Sequence, residues 1–234
     1  MSVSHTALDG STAIFDGLRD ETVPAVSVMN IRVGQRSFEF TTGIRELGRW
    51  VAEEVEGIPL TETFSVRGAI VHVGVGTTVG GDGIPAPRLI GVWEGKDCSL
   101  VTHSSWSRNS ADMLTLFEQF TILEVPGGTT VLVRRGALAR MDEPPMVAKR
   151  VPDLGIIEVV PATNQSVRLL PRQRGTAVRG GELFADRMGR DNELVYYILA
   201  GTSAIATVIP QPNLDLDLAA RQLADLAVEW RAAA

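Results

Sequence analysis

One cysteine, three histidines and two lysines in 234 residues set the first limits on this chain. With Cys98 alone there is no intrachain disulfide and no cysteine-rich zinc site, and a reducing compartment fits best. The thiol itself reads as a small apolar strand residue. His5, His72 and His103 form no pair at helical or strand spacing beside carboxylates, so neither a metal site nor a cofactor is expected. Aromatic residues are only 6% of the chain, which leaves the core to Val, Leu, Ile and Ala. Long apolar runs are missing too. The longest, Leu194 to Ile209, breaks at Gly201 and Thr202, short of the roughly 18 residues that cross a bilayer. Asp9, Asp16, Arg19, Asp20 and Glu21 interrupt any leader-like stretch near the start, so a soluble, cytoplasmic protein with no membrane contact is expected. A net charge of -6 disfavours nucleic acid or an anionic membrane as a partner for the surface as a whole.

What the chain does have is a recurring pattern, in which two β-rich runs meet at a tight turn and lead into an amphipathic helical run. The first unit is Met29 to Val33, a Gly34-Gln35 turn, Ser37 to Phe40, then Ile44 to Val55. The second is Leu89 to Trp93, Glu94-Gly95-Lys96-Asp97, Cys98 to Thr102, then Met113 to Phe120. The third is Leu194 to Leu199, Ala200-Gly201-Thr202, Ala204 to Ile209, then Leu218 to Trp230. Within each unit the apolar period switches from two to about 3.6, which predicts an α+β fold of mainly antiparallel sheet with three amphipathic helices.

The helical stripes are predicted as Ile44, Leu47, Val51 and Val55; Met113, Leu116, Phe117 and Phe120; and Leu223, Leu226, Ala227 and Trp230. Gly57 and Pro59 stop the first helix, and Asn109 or Ser110 caps the second. Phe64 to Val75 reads as one long strand covered on both faces, and Gly74 to Pro87 as irregular. Ile122 to Val125 and Thr130 to Val133 flank a Gly127-Gly128 hairpin turn. Pro144-Pro145 lies in the best internal linker, and Leu154 to Val160 and Val167 to Leu170 read as two further strands. Residues 1–22 are expected as a flexible or short-helical segment, residues 23–120 as a first α+β half and residues 121–234 as a second. Two pseudo-repeated halves and one continuous sheet domain both satisfy this pattern.

Few residues offer chemistry. The glycine-rich stretch from Gly74 to Gly83 carries one residue too many for a dinucleotide fingerprint, lacks the Gly-Lys-Ser/Thr of a P-loop, and is followed by prolines where a helix should start. The enzyme alternative is a pocket near His103 and Cys98, with Asp97, Ser104 and Ser105 nearby. His72 is read as a hydrogen-bonded core histidine.

Charge is distributed unevenly. Residues 134–190 hold 11 of the 22 basic and 6 of the 28 acidic residues, a balance of +5 against -11 for the remainder. Arg168, Arg172, Arg174 and Arg179 crowd a stretch broken by Pro171, Gly175, Gly180 and Gly181. Guanidinium groups there suit oxyanions, acidic protein surface or the chain's own carboxylates. Nucleic acid is disfavoured because Phe184 is the segment's only aromatic. The unbroken apolar character of Leu194 to Leu199 and Ala204 to Ile209 adds self-association, as a dimer, or a protein partner. The expected function is therefore a non-catalytic binding or assembly protein of chaperone-like type, acting through sheet surface and the four arginines. An anion or nucleic-acid binder using the same arginines is the other alternative.

Overall fold

The computed structural model describes residues 2–18, 24–79, 85–107, 109–189 and 194–233. Antiparallel sheet dominates and helices are few. The chain clusters into two compact units, one made of residues 1–25 with 146–234 and the other of residues 26–145. The boundary drawn at 120 and 121 lies inside the second of these, where Phe120 packs edge-on against Phe40 with ring centroids 5.4 Å apart.

The described N-terminal residues are neither loose nor helical: β1 (Ser2–Thr6) and β2 (Thr12–Asp16) form a hairpin. Alternation in Thr12–Asp16, with Ala13 and Phe15 buried, is the strand period that the polar flanks obscure in sequence.

The 26–145 unit opens with the hairpin of β3 (Ala25–Val33) and β4 (Arg36–Ile44), as the first predicted unit requires. Helix α1 (Arg45–Trp50) follows and widens into a π-helical turn over Val51–Val55, capped by Gly57 at a φ of 67°. The buried face is not the predicted stripe. Gly48 and Ala52 are buried, while Ile44 and Val55 are exposed, because the helix presses so closely on the sheet that a Cβ on Gly48 would lie 2.5 Å from Val92.

Beyond α1 the chain makes β5 (Glu62–Val66), β6 (Ala69–Val79), β7 (Pro85–Glu94) and β8 (Cys98–Ser104). The predicted single strand over Phe64 to Val75 is thus a hairpin. Arg67 and Gly68 both take positive φ, 54° and 82°, the signature of a two-residue primed turn whose twist matches the strands. Val71 and Val73 are buried on one face of β6, and on the other Gly74 is buried beneath Ile58 while Ile70, beside the turn, is 48% exposed. The stretch expected to be irregular is largely strand as well, since Val79 pairs with Pro85 and Thr77 with Pro87; the glycines at 80, 81 and 83 lie outside the described residues.

Helix α2 (Ser110–Phe117) is capped by the Asn109 side chain, which accepts from the Ala111 N–H, and buries Met113, Leu116 and Phe117 as predicted. Phe120, placed on that helix by its spacing, instead begins β9 (Phe120–Val125), which pairs with β10 (Gly128–Val133). β11 (Ala139–Met141) then pairs with β3, so part of the expected linker is structured. The strand order of this unit's main sheet is β3-β4-β8-β7-β6-β5.

In the other unit, β12 (Met146–Val151) and β13 (Gly155–Pro161) lead to a short helix α3 (Asn164–Val167), not to the second predicted strand. Thr163 and Ser166 exchange side-chain-to-backbone hydrogen bonds as a capping box, a local preference that overrides the β-branched flavour of the segment. β14 (Thr176–Val178), β15 (Gly181–Met188), β16 (Leu194–Ala200) and β17 (Ala204–Pro210) complete a sheet of order β14-β15-β16-β17-β13-β12. The last helix, α4 (Leu216–Ala224), is capped by Asp215 and ends earlier than predicted. Trp230 belongs to β18 (Ala227–Arg231), which pairs with β2; Val228 and Trp230 are buried on alternate positions around exposed Glu229.

Both faces of the β16–β17 hairpin are buried within this unit. Tyr197, Leu199, Ala206 and Val208 join one cluster with α4 and β18, and Ile198 and Ile205 join Phe184 on the opposite side. A partner is not needed to cover them.

Candidate functional site

The arginine-rich segment sits on the outer side of the second cluster. Leu170 and Ala162 pack inward against Phe184, Ile198 and Ile205, which fixes the segment after α3 to the sheet. Its far end is held where the Gly175 N–H donates to Glu182 at 2.9 Å. Between these anchors Arg168, Arg172 and Arg174 are exposed, and among the described residues none of their guanidinium groups has a hydrogen bond or ion pair. Val167 and Leu169 lie among them, 49% and 79% exposed.

Arg179 does not join this group. Its guanidinium pairs with Asp16 and donates to the Asp225 carbonyl, so it ties β2 to the end of α4. The four arginines read together in sequence therefore divide into three that face solvent and one that serves the fold. Phe184, the one aromatic of the segment, is only 5% exposed and offers them no stacking face.

The pocket expected near His103 and Cys98 is not assembled. The two residues stand five apart on β8, which puts their side chains on opposite faces and about 16 Å apart along the strand. Burial pushes the Cys98 thiol up and the His103 imidazole down, with Arg88 adding to the latter. Asp97 is exposed on the β7–β8 turn. The N–H groups of Lys96, Asp97 and Cys98 all donate to the Glu124 carboxylate, at 3.1, 2.8 and 2.8 Å. That turn is filled from within.

Histidine chemistry gathers elsewhere. Thr63 and His72 face each other across the β5–β6 hairpin, and the Thr63 hydroxyl lies 3.0 Å from His72 Nδ1. His72 Nε2 is 2.9 Å from Glu94, whose other oxygen is held by the Arg45 guanidinium. Arg45 and His72 hold the Glu94 carboxyl below its ordinary range. Beside an ionised Glu94, which can only accept, His72 donates through Nε2. The group borders a cavity of about 420 Å³ that Trp50, Leu60 and Val92 also line. His72 is hydrogen-bonded as expected, but its partners were hidden because the Arg67-Gly68 turn carries none of the usual Asn-Gly or Asp-Gly signals.

No three His, Cys, Asp or Glu residues among those described converge as metal ligands. Among the described residues no helix is long and apolar enough to cross a membrane. No family model, no curated protein and no solved structure matches this chain.

Proposed function

We propose that the chain is a cytoplasmic, non-catalytic binding or assembly protein that holds an acidic, amphipathic segment of a protein partner against the segment after α3. The observation that carries this reading is the company of Arg168, Arg172 and Arg174, whose exposed guanidinium groups have no partner among the described residues, around exposed Leu169. Three exposed guanidinium groups offer bidentate pairing to a partner's Asp and Glu side chains. Leu169 supplies the apolar contact that such a segment's other face needs.

The test is fluorescence anisotropy with a labelled helical peptide of Glu and Leu heptads. Affinity is expected to fall steeply with salt, and to drop at least tenfold both in Arg168→Ser/Arg172→Ser/Arg174→Ser and in Leu169→Ser. Equal binding by the triple variant ends the reading.

A second reading rests on Thr63, His72 and Glu94, whose connectivity is that of a hydroxyl activated by a base that a carboxylate orients. Covalent labelling of Thr63 by a fluorophosphonate probe, lost in His72→Gln, would support it. Absence of labelling at Thr63 removes it.

A further inference from the structure

The β6–β7 hairpin runs on beyond its neighbours. β5 pairs with β6 only as far as Val73, and β8 pairs with β7 only from Leu89 onward. Val75 to Val79 and Pro85 to Arg88 therefore form a two-stranded ribbon with no further strand on either side among the described residues. Such a ribbon has two edges, and they are not equivalent.

Proline has no N–H to donate, so the pairs Thr77 with Pro87 and Val79 with Pro85 are those whose backbone groups point away from one another. On β7 this puts both prolines at the outer edge, where they block the approach of another strand. On β6 the same phase turns the N–H and C=O groups of Val75 and Thr77 outward. Two contacts nearer β5 agree with this phase. The Val73 carbonyl accepts from the Thr61 N–H at 3.1 Å on that outer side, and the side chains of Thr63 and His72 meet as those of a pair that exchanges no backbone bonds.

From Gly74 to Thr78 that edge carries no proline and no charge, and no described strand pairs with it. Val75 is 37% exposed, Thr77 is exposed, and among the described residues no backbone hydrogen bond reaches the outer groups of either. Ile58 packs beneath Gly76, on the face of the ribbon.

We propose that this edge pairs with the same edge of a second copy of the chain, antiparallel, about a two-fold axis at Thr77. An antiparallel edge is self-complementary under a two-fold, so one unguarded strand serves both partners. The run Gly74 to Thr78 brings no like charges into opposition. Its β-branched residues suit cross-strand pairing, with Thr77 meeting Thr77 of the other copy. The contact is small, so it forms at high concentration.

The experiment is sedimentation velocity of the full chain from low concentration up to about 1 mM, in about 0.5 M salt so that arginine-mediated contacts are screened. The mass is expected to rise from 25.2 kDa toward twice that value as concentration increases. Amide exchange at Val75 and Thr77 should slow over the same range. Thr77→Pro removes the outward donor at a phase that Pro87 shows to be compatible with the ribbon, and should abolish the dimer. Thr77→Lys sets two like charges across the axis and should also abolish it, while Thr77→Val should keep it. A monomer at every concentration, or a dimer indifferent to both Thr77→Pro and Thr77→Lys, overturns the proposal. Because the association is salt-insensitive and leaves the arginines untouched, its failure leaves the arginine reading standing.

Discussion

Replacing Glu124 by Gln tests whether a single carboxylate organises the β7–β8 turn. The side chain accepts three successive backbone N–H groups from Lys96, Asp97 and Cys98, and Gly95 lets it approach, since a Cβ there would lie 2.4 Å from Oε1 and 2.6 Å from the Trp93 ring. Hydrogen bonds to a charged acceptor are each worth about 1.5–3 kcal/mol in favourable settings. Glu124 is largely open to water, which competes for the same donors, so the net contribution is set at about 1–2 kcal/mol for all three together. That corresponds to a fall in Tm of roughly 3–6 °C for a chain of this size. The sign of the pH dependence follows from the direction of the shift. Burial pushes the Glu124 carboxyl up, but the three donors and Lys96 outweigh it and hold the group below its ordinary value of 4.5. Its stabilisation is thus complete above that value and disappears as pH falls through the depressed one. Thermal unfolding of wild type and Glu124→Gln from pH 7 to pH 3 should show a gap that closes toward the acid end. Gly95→Ala should displace the carboxylate, so the double variant should lose less than the sum of the singles, the remainder being the Trp93 contact. Equal stability of Glu124→Gln and wild type at pH 7 refutes the reasoning.

Two further outcomes are expected. Burial and then Lys149 lower the His5 imidazole to about 4, so the unfolded chain binds a proton first on acidification and stability should fall between about pH 6.5 and pH 4; His5→Gln should flatten that slope in chemical denaturation, and an unchanged slope contradicts it. Gly91→Ala would set a Cβ 2.5 Å from Met113 Cγ and 2.8 Å from the Phe117 ring, pushing α2 off the sheet at a cost of about 1–3 kcal/mol, read from denaturation midpoints.

The amino-acid sequence by itself determined what depends on neighbours along the chain. The Gly34-Gln35 turn, the Asn109 cap and the Met113, Leu116, Phe117 stripe were all legible, because turn chemistry, capping and helical period act over a few residues; the hairpin expected at Gly127-Gly128 forms one residue earlier, at Pro126-Gly127, with Gly128 already paired to Val125. Ambiguity began where two periods fit one run. Leu223, Leu226, Ala227 and Trp230 satisfy a helix, yet Val228 and Trp230 also alternate, and only the open edge of β2, brought from the other end of the chain, made residues 227–231 a strand. The candidate site followed the same division. Composition located the arginines, but the sorting of Arg179 from Arg168, Arg172 and Arg174 depended on where Asp16 and Asp225 came to lie. Tertiary structure alone joined His72 to Thr63 and Glu94, since strand register, which no local preference fixes, decides which side chains of neighbouring strands meet.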